Sequence, residues 1–285
     1  MSIALREARP EDAAALGRIT HEAFTTIAER HGFLTDFPDA DMPTGLLGQL
    51  IGRDDVYVVV AESDGKVIGS NVLWENNPIA GIGPISVDPA AQGSSTGRSL
   101  MQDVLRRARE QKFDGIRLVQ TPFNCLTMAL YTKLGFDTVE PLSVFQGPAL
   151  KQTIPGYAVR PATMDDIEAC DALCIRIHGH DRHGDLFDAI RQKAATVIER
   201  DGRITGYATM IGYFGHAVGE TNDDLKALIA AAEEFAGPGF HVPSRNAELM
   251  RWCLSQGLRI RHPMTLMKIG PYQKPAGAFL PSVIF

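Results

Sequence analysis

The chain has 285 residues, a net charge of −6 and a pI near 5.8, with 45% of its residues hydrophobic and 22% charged. That length holds one large or two medium domains, and the balance is that of a soluble globular protein rather than a disordered or fibrous one. The acidic total argues against a nucleic-acid footprint, which needs a basic face, though it leaves room for a local basic patch, and no apolar run is long enough to span a bilayer.

Arg6 and Glu7 break the apolar run of a secretory leader, so a cytoplasmic chain is expected. Residues 2 to 8 read as a strand, and Pro10-Glu11-Asp12 opens a helix whose apolar face includes Leu16, Ile19 and Ala23. An irregular stretch with Thr25, Glu29, His31 and Asp36 leads to a short helix over about 46–51. Residues 56–62 and 67–74 read as strands joined by a tight Ser63-Asp64-Gly65 turn. A further strand ends at Val87-Asp88-Pro89, and the small-residue loop Gln92-Gly93-Ser94-Ser95-Thr96-Gly97-Arg98-Ser99 follows it. Leu100, Met101, Val104, Leu105 and Ala108 then mark an amphipathic helix. Asp114-Gly115 turns the chain into a strand over 116–120, Pro122 stops it, and Asn124 caps a helix to about Leu134. Gly135-Phe136 starts the next strand.

The stretch from Ile85 to Ser99 is a strand, a loop of small residues and a helix start in sequence. Small residues let a ligand approach the backbone, and the first helical turn aims partial positive charge at it. The expected ligand is a phosphate or pyrophosphate. Gly93 and Gly97 enclose three residues and Arg98 follows, which excludes a Walker loop, where four residues separate the glycines and Lys follows. The loop also falls too late in the chain for a dinucleotide fingerprint.

The second half repeats this order. Leu5-Arg6-Glu7-Ala8 before Asp12 returns as Val159-Arg160-Pro161-Ala162 before Asp166, an offset of 154. The hairpin around Asp64-Gly65 returns around Asp201-Gly202 at an offset of 137, and Asn124 returns as Asn246 at an offset of 122. Two copies of one fold are expected over 1–147 and 157–285, joined by a linker over 147–156 with Pro148 and Pro155 as breakers.

With its loop after the fourth strand of a mostly antiparallel set, the region from 3 to about 145 resembles the GCN5-related N-acetyltransferases (GNAT). The motifs that carry the resemblance are Val87-Asp88-Pro89, the 92–98 loop, and Asn124 with Leu130-Tyr131-Thr132-Lys133-Leu134-Gly135-Phe136. The resemblance implies an α/β (α+β) fold of two tandem GNAT-like domains, each a mixed, mostly antiparallel sheet flanked by helices. It implies acetyl-coenzyme A as co-substrate, held by Ile85, Ser86, Val87, Gln92, Gly93, Ser94, Ser95, Thr96, Gly97, Arg98, Ser99, Asn124 and Tyr131. Gln92 and Gly97 match the family's Gln/Arg-x-x-Gly-x-Gly/Ala loop, but Ser95 stands where the family has glycine. Serine tolerates positive φ less well, so a strained loop is expected there. The hydroxyls of Ser94, Ser95 and Thr96 are extra donors for phosphate.

Asn124 and Tyr131 lie seven apart and share a helix face. By resemblance Asn124 contacts the pantetheine arm, Tyr131 is the general acid for the departing thiolate, and the Val87 N–H polarises the thioester carbonyl. Glu75, just past the third strand, is the nearest acid to serve as base, with Glu22, Glu29 and His31 as further candidates and ordered water as the family's other solution.

The second copy reads Gly215-His216-Ala217-Val218-Gly219-Glu220-Thr221-Asn222-Asp223-Asp224 where the loop belongs, and Cys253 aligns with Tyr131. Carboxylates at a helix start repel a pyrophosphate, so this copy is expected to bind no coenzyme and to serve as structural cover or as one wall of the acceptor site. The cluster His178-Gly179-His180-Asp181-Arg182-His183 reads as a loop, and no metal is expected. Cys125, Cys170, Cys174 and Cys253 show no Cys-x-x-Cys spacing and read as reduced structural thiols. The apolar tail, Phe279 to Phe285, is expected to pack on the body or on a partner chain. The reading is an N-acetyltransferase acting on a small-molecule amine, as a monomer or homodimer without nucleic-acid or membrane partners. An acyl-coenzyme A sensor and a protein-amine acetyltransferase are the alternatives.

Overall fold

A computed structural model describes residues 3–93 and 95–285. The first half gives β1 (Ala4–Glu7), α1 (Ala13–Arg30), α2 (Asp41–Leu50), β2 (Val56–Ser63), β3 (Lys66–Trp74), β4 (Ile79–Ile82), β5 (Ser86–Val87), α3 (Thr96–Glu110), β6 (Gly115–Gln120), α4 (Cys125–Lys133) and β7 (Asp137–Gln146). The second half gives β8 (Ala158–Pro161), α5 (Ile167–His178), α6 (His183–Arg191), β9 (Thr196–Arg200), β10 (Arg203–Ala208), β11 (Ala217–Gly219), α7 (Asn222–Ala231), β12 (Phe240–Pro243), α8 (Ala247–Ser255), β13 (Arg259–Ile269) and β14 (Ala278–Leu280).

Successive side chains of a strand face opposite ways, and β2 uses both faces. Val59 and Ala61 pack beneath Leu100, Met101, Val104 and Leu105 of α3, while Val58 and Val60 pack against Leu16 of α1 and Leu47 and Leu50 of α2. Burying the valine, leucine and methionine side chains among them stabilises by roughly 1.5–3 kcal/mol each. The sheet is thereby sandwiched between helices, in the α/β arrangement the sequence implies.

One strand was expected to end at Val87, but the chain forms two. β4 pairs in parallel with β6 as far as Ile82↔Leu118. Pro84 then offers no N–H to continue the ladder. β5 stays with β3, at Gly69↔Val87, while β6 runs on to Gln120 beside β13. The two strands part, and a gap opens between them.

The larger sheet has the order β1-β2-β3-β4-β6-β13-β7-β12, with β5 on β3, and the smaller has the order β14-β11-β10-β9-β8. The expected units 1–147 and 157–285 therefore share a sheet. β13, from the second half, lies between β6 and β7 of the first, and β12 extends the same sheet beyond β7. Charged pins cross the junction. Arg117 on β6 is buried, donates to the carbonyls of Ile269 and Pro271, and stacks over Tyr272 and Phe285. Burial brings its pKa down to about 10. Glu140 on β7, also buried, accepts from Arg245 Nε at 2.7 Å.

The repeat is visible in side chains as well as in order. Arg6 bridges Asp12 and Glu62, and Arg160 bridges Asp166 and Glu199 in the same way. Asp64-Gly65 and Asp201-Gly202 both turn with positive φ, of 52° and 74° against 53° and 72°. The apolar tail packs as expected: β14 pairs with β11, and the Ile284 carbonyl lies so close to Gly81 of β4 that a Cβ there would collide with it. No helix among the described residues is long and apolar enough to cross a membrane.

A shared sheet couples the halves in unfolding. Trp74 sits in β3 and Trp252 in α8, so Trp74→Phe and Trp252→Phe variants report on one half each. Denaturant curves from the two variants and from far-UV circular dichroism are expected to coincide. Two separated midpoints would contradict the coupling.

Candidate active site

The gap between β5 and β6 opens into a cavity of about 520 Å³, and residues of both halves line it. On one side stand Ile85, Ser86 and Val87 of the parted strand, then Gln92, Gly93, Ser95, Thr96, Gly97 and Arg98. Asp88 shapes the entry to this loop by accepting from the Ala90 N–H at 2.9 Å. Gln92 Nε2 donates back to the Val87 carbonyl at 3.4 Å. Gly97 faces Val87 and Leu130, and a Cβ there would meet them in ordinary van der Waals contact, 3.8 Å from Val87 Cγ2 and 3.9 Å from Leu130 Cδ2. The amino-terminal end of α3, with its partial positive charge, lines the cavity through Thr96, Gly97 and Arg98.

Ser95 stands just ahead of α3 with φ 65° and ψ 0°, in the left-handed region that the glycine rule for this loop demands. The expected strain is therefore present at that residue. Ser94 lies outside the described residues. Ser99 departs from expectation: its amide donates to the Ser95 carbonyl at 3.0 Å within the helix, and it does not line the cavity.

α4 brings Asn124 and Tyr131 to the same cavity. Asn124 caps the helix by accepting from the Thr127 N–H at 3.3 Å, and Gly135, with φ 99°, ends it. Tyr131 is buried against Phe136, and desolvation raises its pKa above the ordinary 10.0, so the phenol keeps its proton through the neutral range.

Glu75 is misplaced as a base. Arg107 of α3 grips it bidentately, Nε to Oε1 at 2.8 Å and Nη2 to Oε2 at 2.9 Å, and it does not line the cavity. Such a pair occupies both carboxylate oxygens. The other candidates also miss: Glu22 pairs with Arg18, His31 Nδ1 bonds to the Ile27 carbonyl, and neither they nor Glu29 line the cavity.

The far wall contains groups the sequence reading did not assign. They are Asp36, from the segment after α1, Gln120 at the end of β6, Tyr213 after β10, and His262 on β13. Tyr213 Oη donates to Asp36 Oδ2 at 2.8 Å. A bulge lets Arg261 slip out of register with β7 and donate to the Thr35 carbonyl at 2.6 Å. The second half thus holds the segment that carries Asp36. Only the register of β13 in the foreign sheet brings His262 here, and no local sequence signal encodes that.

The corresponding helix start in the second half is closed. The Asp224 carboxylate accepts from the Thr221 amide and hydroxyl, each at 2.8 Å, and from Thr205 Oγ1 at 2.6 Å. A buried carboxylate fills the place an anion would take. Cys253, opposite Tyr131 in the repeat, is buried and its thiol is pushed up to about 12.

Residues 19–136 match the family described as Acetyltransferase (GNAT) family. The chain is 29% identical over 95 residues to a mycothiol acetyltransferase of Saccharomonospora viridis, a match covering 30% of this chain and 31% of that protein. It is 31% identical over 98 residues to a mycothiol acetyltransferase of Thermomonospora curvata, covering 33% and 32%. Each match thus spans about a third of the relative's length. Among solved structures, a candidate acetyltransferase from Pyrococcus horikoshii superposes with a TM-score of 0.74 at 16% identity, over 99% of this chain and 92% of that one. A GCN5-related N-acetyltransferase from Sphaerobacter thermophilus gives 0.61 at 15% identity over 97% and 98%. A tandem GNAT protein from the clavulanic acid biosynthesis pathway gives 0.57 at 12% over 95% and 100%. At these identities the likeness is one of fold, and it extends over both halves.

Relief of the left-handed serine has a measurable consequence. Ser95→Gly is expected to stabilise the protein by about 1 kcal/mol, raising Tm by about 2 °C in calorimetry. An unchanged or lowered Tm would show that Ser95 is not strained.

Proposed function

We propose, on the premise that residues 19–136 form a GNAT-family domain, that the chain transfers an acetyl group from acetyl-coenzyme A to a primary amine of a small molecule. The observation that carries this reading is the continuity of one cavity from the α3 loop, past Asn124 and Tyr131, to the far wall. One end suits a diphosphate and the other is left for an acceptor.

In this reading the amino-terminal end of α3 and the amides of its loop hold the pyrophosphate, with Arg98 exposed at the mouth as a further cation. Asn124 meets the pantetheine arm where it enters the gap between β5 and β6. The thioester supplies an activated acetyl group. The Val87 N–H is the donor for its carbonyl oxygen, where negative charge develops during attack. Tyr131, kept protonated by burial, provides the proton that the departing sulfur needs. Glu75 has no part in the reaction.

The second half carries no coenzyme site in this proposal. It completes the acceptor wall and the sheet. The four cysteines are all free thiols, in keeping with a reducing, cytoplasmic setting.

The test is thiol release from acetyl-coenzyme A across a panel of amines. Tyr131→Phe is expected to lower kcat by about 100-fold while leaving the coenzyme Kd unchanged in calorimetry. An unchanged kcat removes the acid role. Coenzyme binding with no turnover on any amine points instead to an acyl-coenzyme A sensor.

A further inference from the structure

We propose that Asp36 and His262 receive the acceptor's ammonium group, that His262 takes its proton, and that the acceptor is a primary amine with an apolar, ring-sized body. The assignment rests on the transferase reading above and deepens it.

Among the described lining residues Asp36 is the sole carboxylate. Tyr213 fixes one of its oxygens through the 2.8 Å hydrogen bond to Oδ2. Its other oxygen, Oδ1, lies 4.0 Å from His262 Nε2. That separation is too long for a hydrogen bond between them, but an N–H group placed beside both reaches each of them. His262 is 3% exposed, and neither ring nitrogen has a hydrogen-bond partner among the described residues. Gln120, 7% exposed on the same wall, likewise has both amide atoms unpartnered. Buried polar atoms without partners are costly and uncommon, and a polar ligand group relieves that cost.

The charge and shape of the wall restrict the ligand. The guanidiniums of Arg30 and Arg98 also line the cavity, so among the described lining residues an ammonium finds its carboxylate partner at Asp36 alone. Phe24, Phe33, Phe37, Phe123, Phe214 and Met264 supply an apolar part of the lining. They match a flat or branched hydrocarbon body. A long polyamine finds no second carboxylate among the described lining residues, and a small hydroxylated amine leaves the aromatic rings uncovered.

The protons balance. The bound ammonium gives one proton to His262, and the freed nitrogen lone pair attacks the thioester carbon. As the C–S bond breaks, Tyr131 supplies the proton for sulfur and regains one from the nitrogen, which keeps its last as the amide N–H. His262 later returns its proton to solvent. The titratable and charged groups around His262 are Asp36, Arg261 beside it on β13, Tyr213, and His241 on β12, whose ring is tilted against that of Tyr213 with centroids 4.8 Å apart. Burial lowers its pKa from the ordinary 6.5, with Asp36 partly opposing and Arg261 adding to the shift. The imidazole is thus neutral at pH 7 and competent to accept, and it loses that competence as pH falls through its lowered pKa.

Steady-state thiol release decides the matter, with 2-phenylethylamine, hexylamine, ethanolamine and spermidine as acceptors. The first two are expected to exceed the others in kcat/KM by at least about tenfold. For 2-phenylethylamine, kcat/KM of the wild type is expected to fall on the acid side with a midpoint below 6.5. His262→Gln is expected to lower kcat by about 100-fold and to abolish that acid limb. Asp36→Asn is expected to raise KM for the amine about tenfold with KM for acetyl-coenzyme A unchanged. Retained acetyl-coenzyme A binding certifies the fold of each variant, and His262→Asn replaces the glutamine variant if that one fails. An acid limb that persists without His262, or a preference for ethanolamine or spermidine, overturns this assignment alone. Absence of thiol release by the wild type with every amine overturns the transferase reading and this assignment together.

Discussion

The insertion of β13 between β6 and β7 is the constraint on which the rest of this structure depends. A strand interior to a sheet must satisfy backbone groups on both edges. Here residues 259–269 do so for two strands of the other half at once. Without β13, β6 and β7 would each expose a long, apolar edge of the kind natural proteins cover or blunt. The insertion also holds the far side of the cavity in place. β6 stays with its new neighbour while β5 stays with β3, so the gap between them is held open by pairing on both sides. The same strand carries His262 and Met264 into the lining and Arg261 onto the segment that bears Asp36.

The two copies divide their labour along the same line. Features that hold the fold are kept in both: the Arg6 and Arg160 bridges, the paired Asp-Gly turns, and the Asn124 and Asn246 helix caps. Features that would hold an anion occur once. In the first copy a positive-φ loop leaves the start of α3 to the cavity. In the second, Thr221 and Asp224 close α7 upon itself with hydrogen bonds of their own. A capping box of that kind stabilises the helix, and it does so with the negative charge that a phosphate would otherwise bring. Stability and anion binding compete for the same helix end, and each copy has settled the competition differently.

Much of this was legible in the sequence because it is local. Turn residues, caps and apolar periodicity act over a few positions, so most of the elements and the duplicated order could be read directly. Ser95 was readable too, since its strain follows from residue type and position in the loop. Glu75 was misassigned because proximity along the chain says nothing of Arg107, which reaches it from a helix 32 positions away. Asp36, Tyr213 and His262 could not be grouped at all. They are separated by 177 residues between Asp36 and Tyr213 alone, and they meet through a strand pairing that no short-range pattern specifies. The break at Pro84 was visible as a residue, yet its consequence, the parting of β5 from β6, required knowing which partner each strand keeps.

The position of β13 also bears on how the chain is made. A ribosome delivers β6 and β7 long before β13, which begins roughly 110 residues after β7 ends. At about 5–20 residues per second, the slot between them stands empty for roughly 6 to 20 s in each round of synthesis. During that time the first copy cannot close, however complete its own sequence is, and its two open edges are available to any neighbouring nascent chain. Vectorial synthesis therefore imposes a waiting period here that two independently folding copies would not have. The interlock that builds the cavity makes the second copy, in effect, the last step in folding the first.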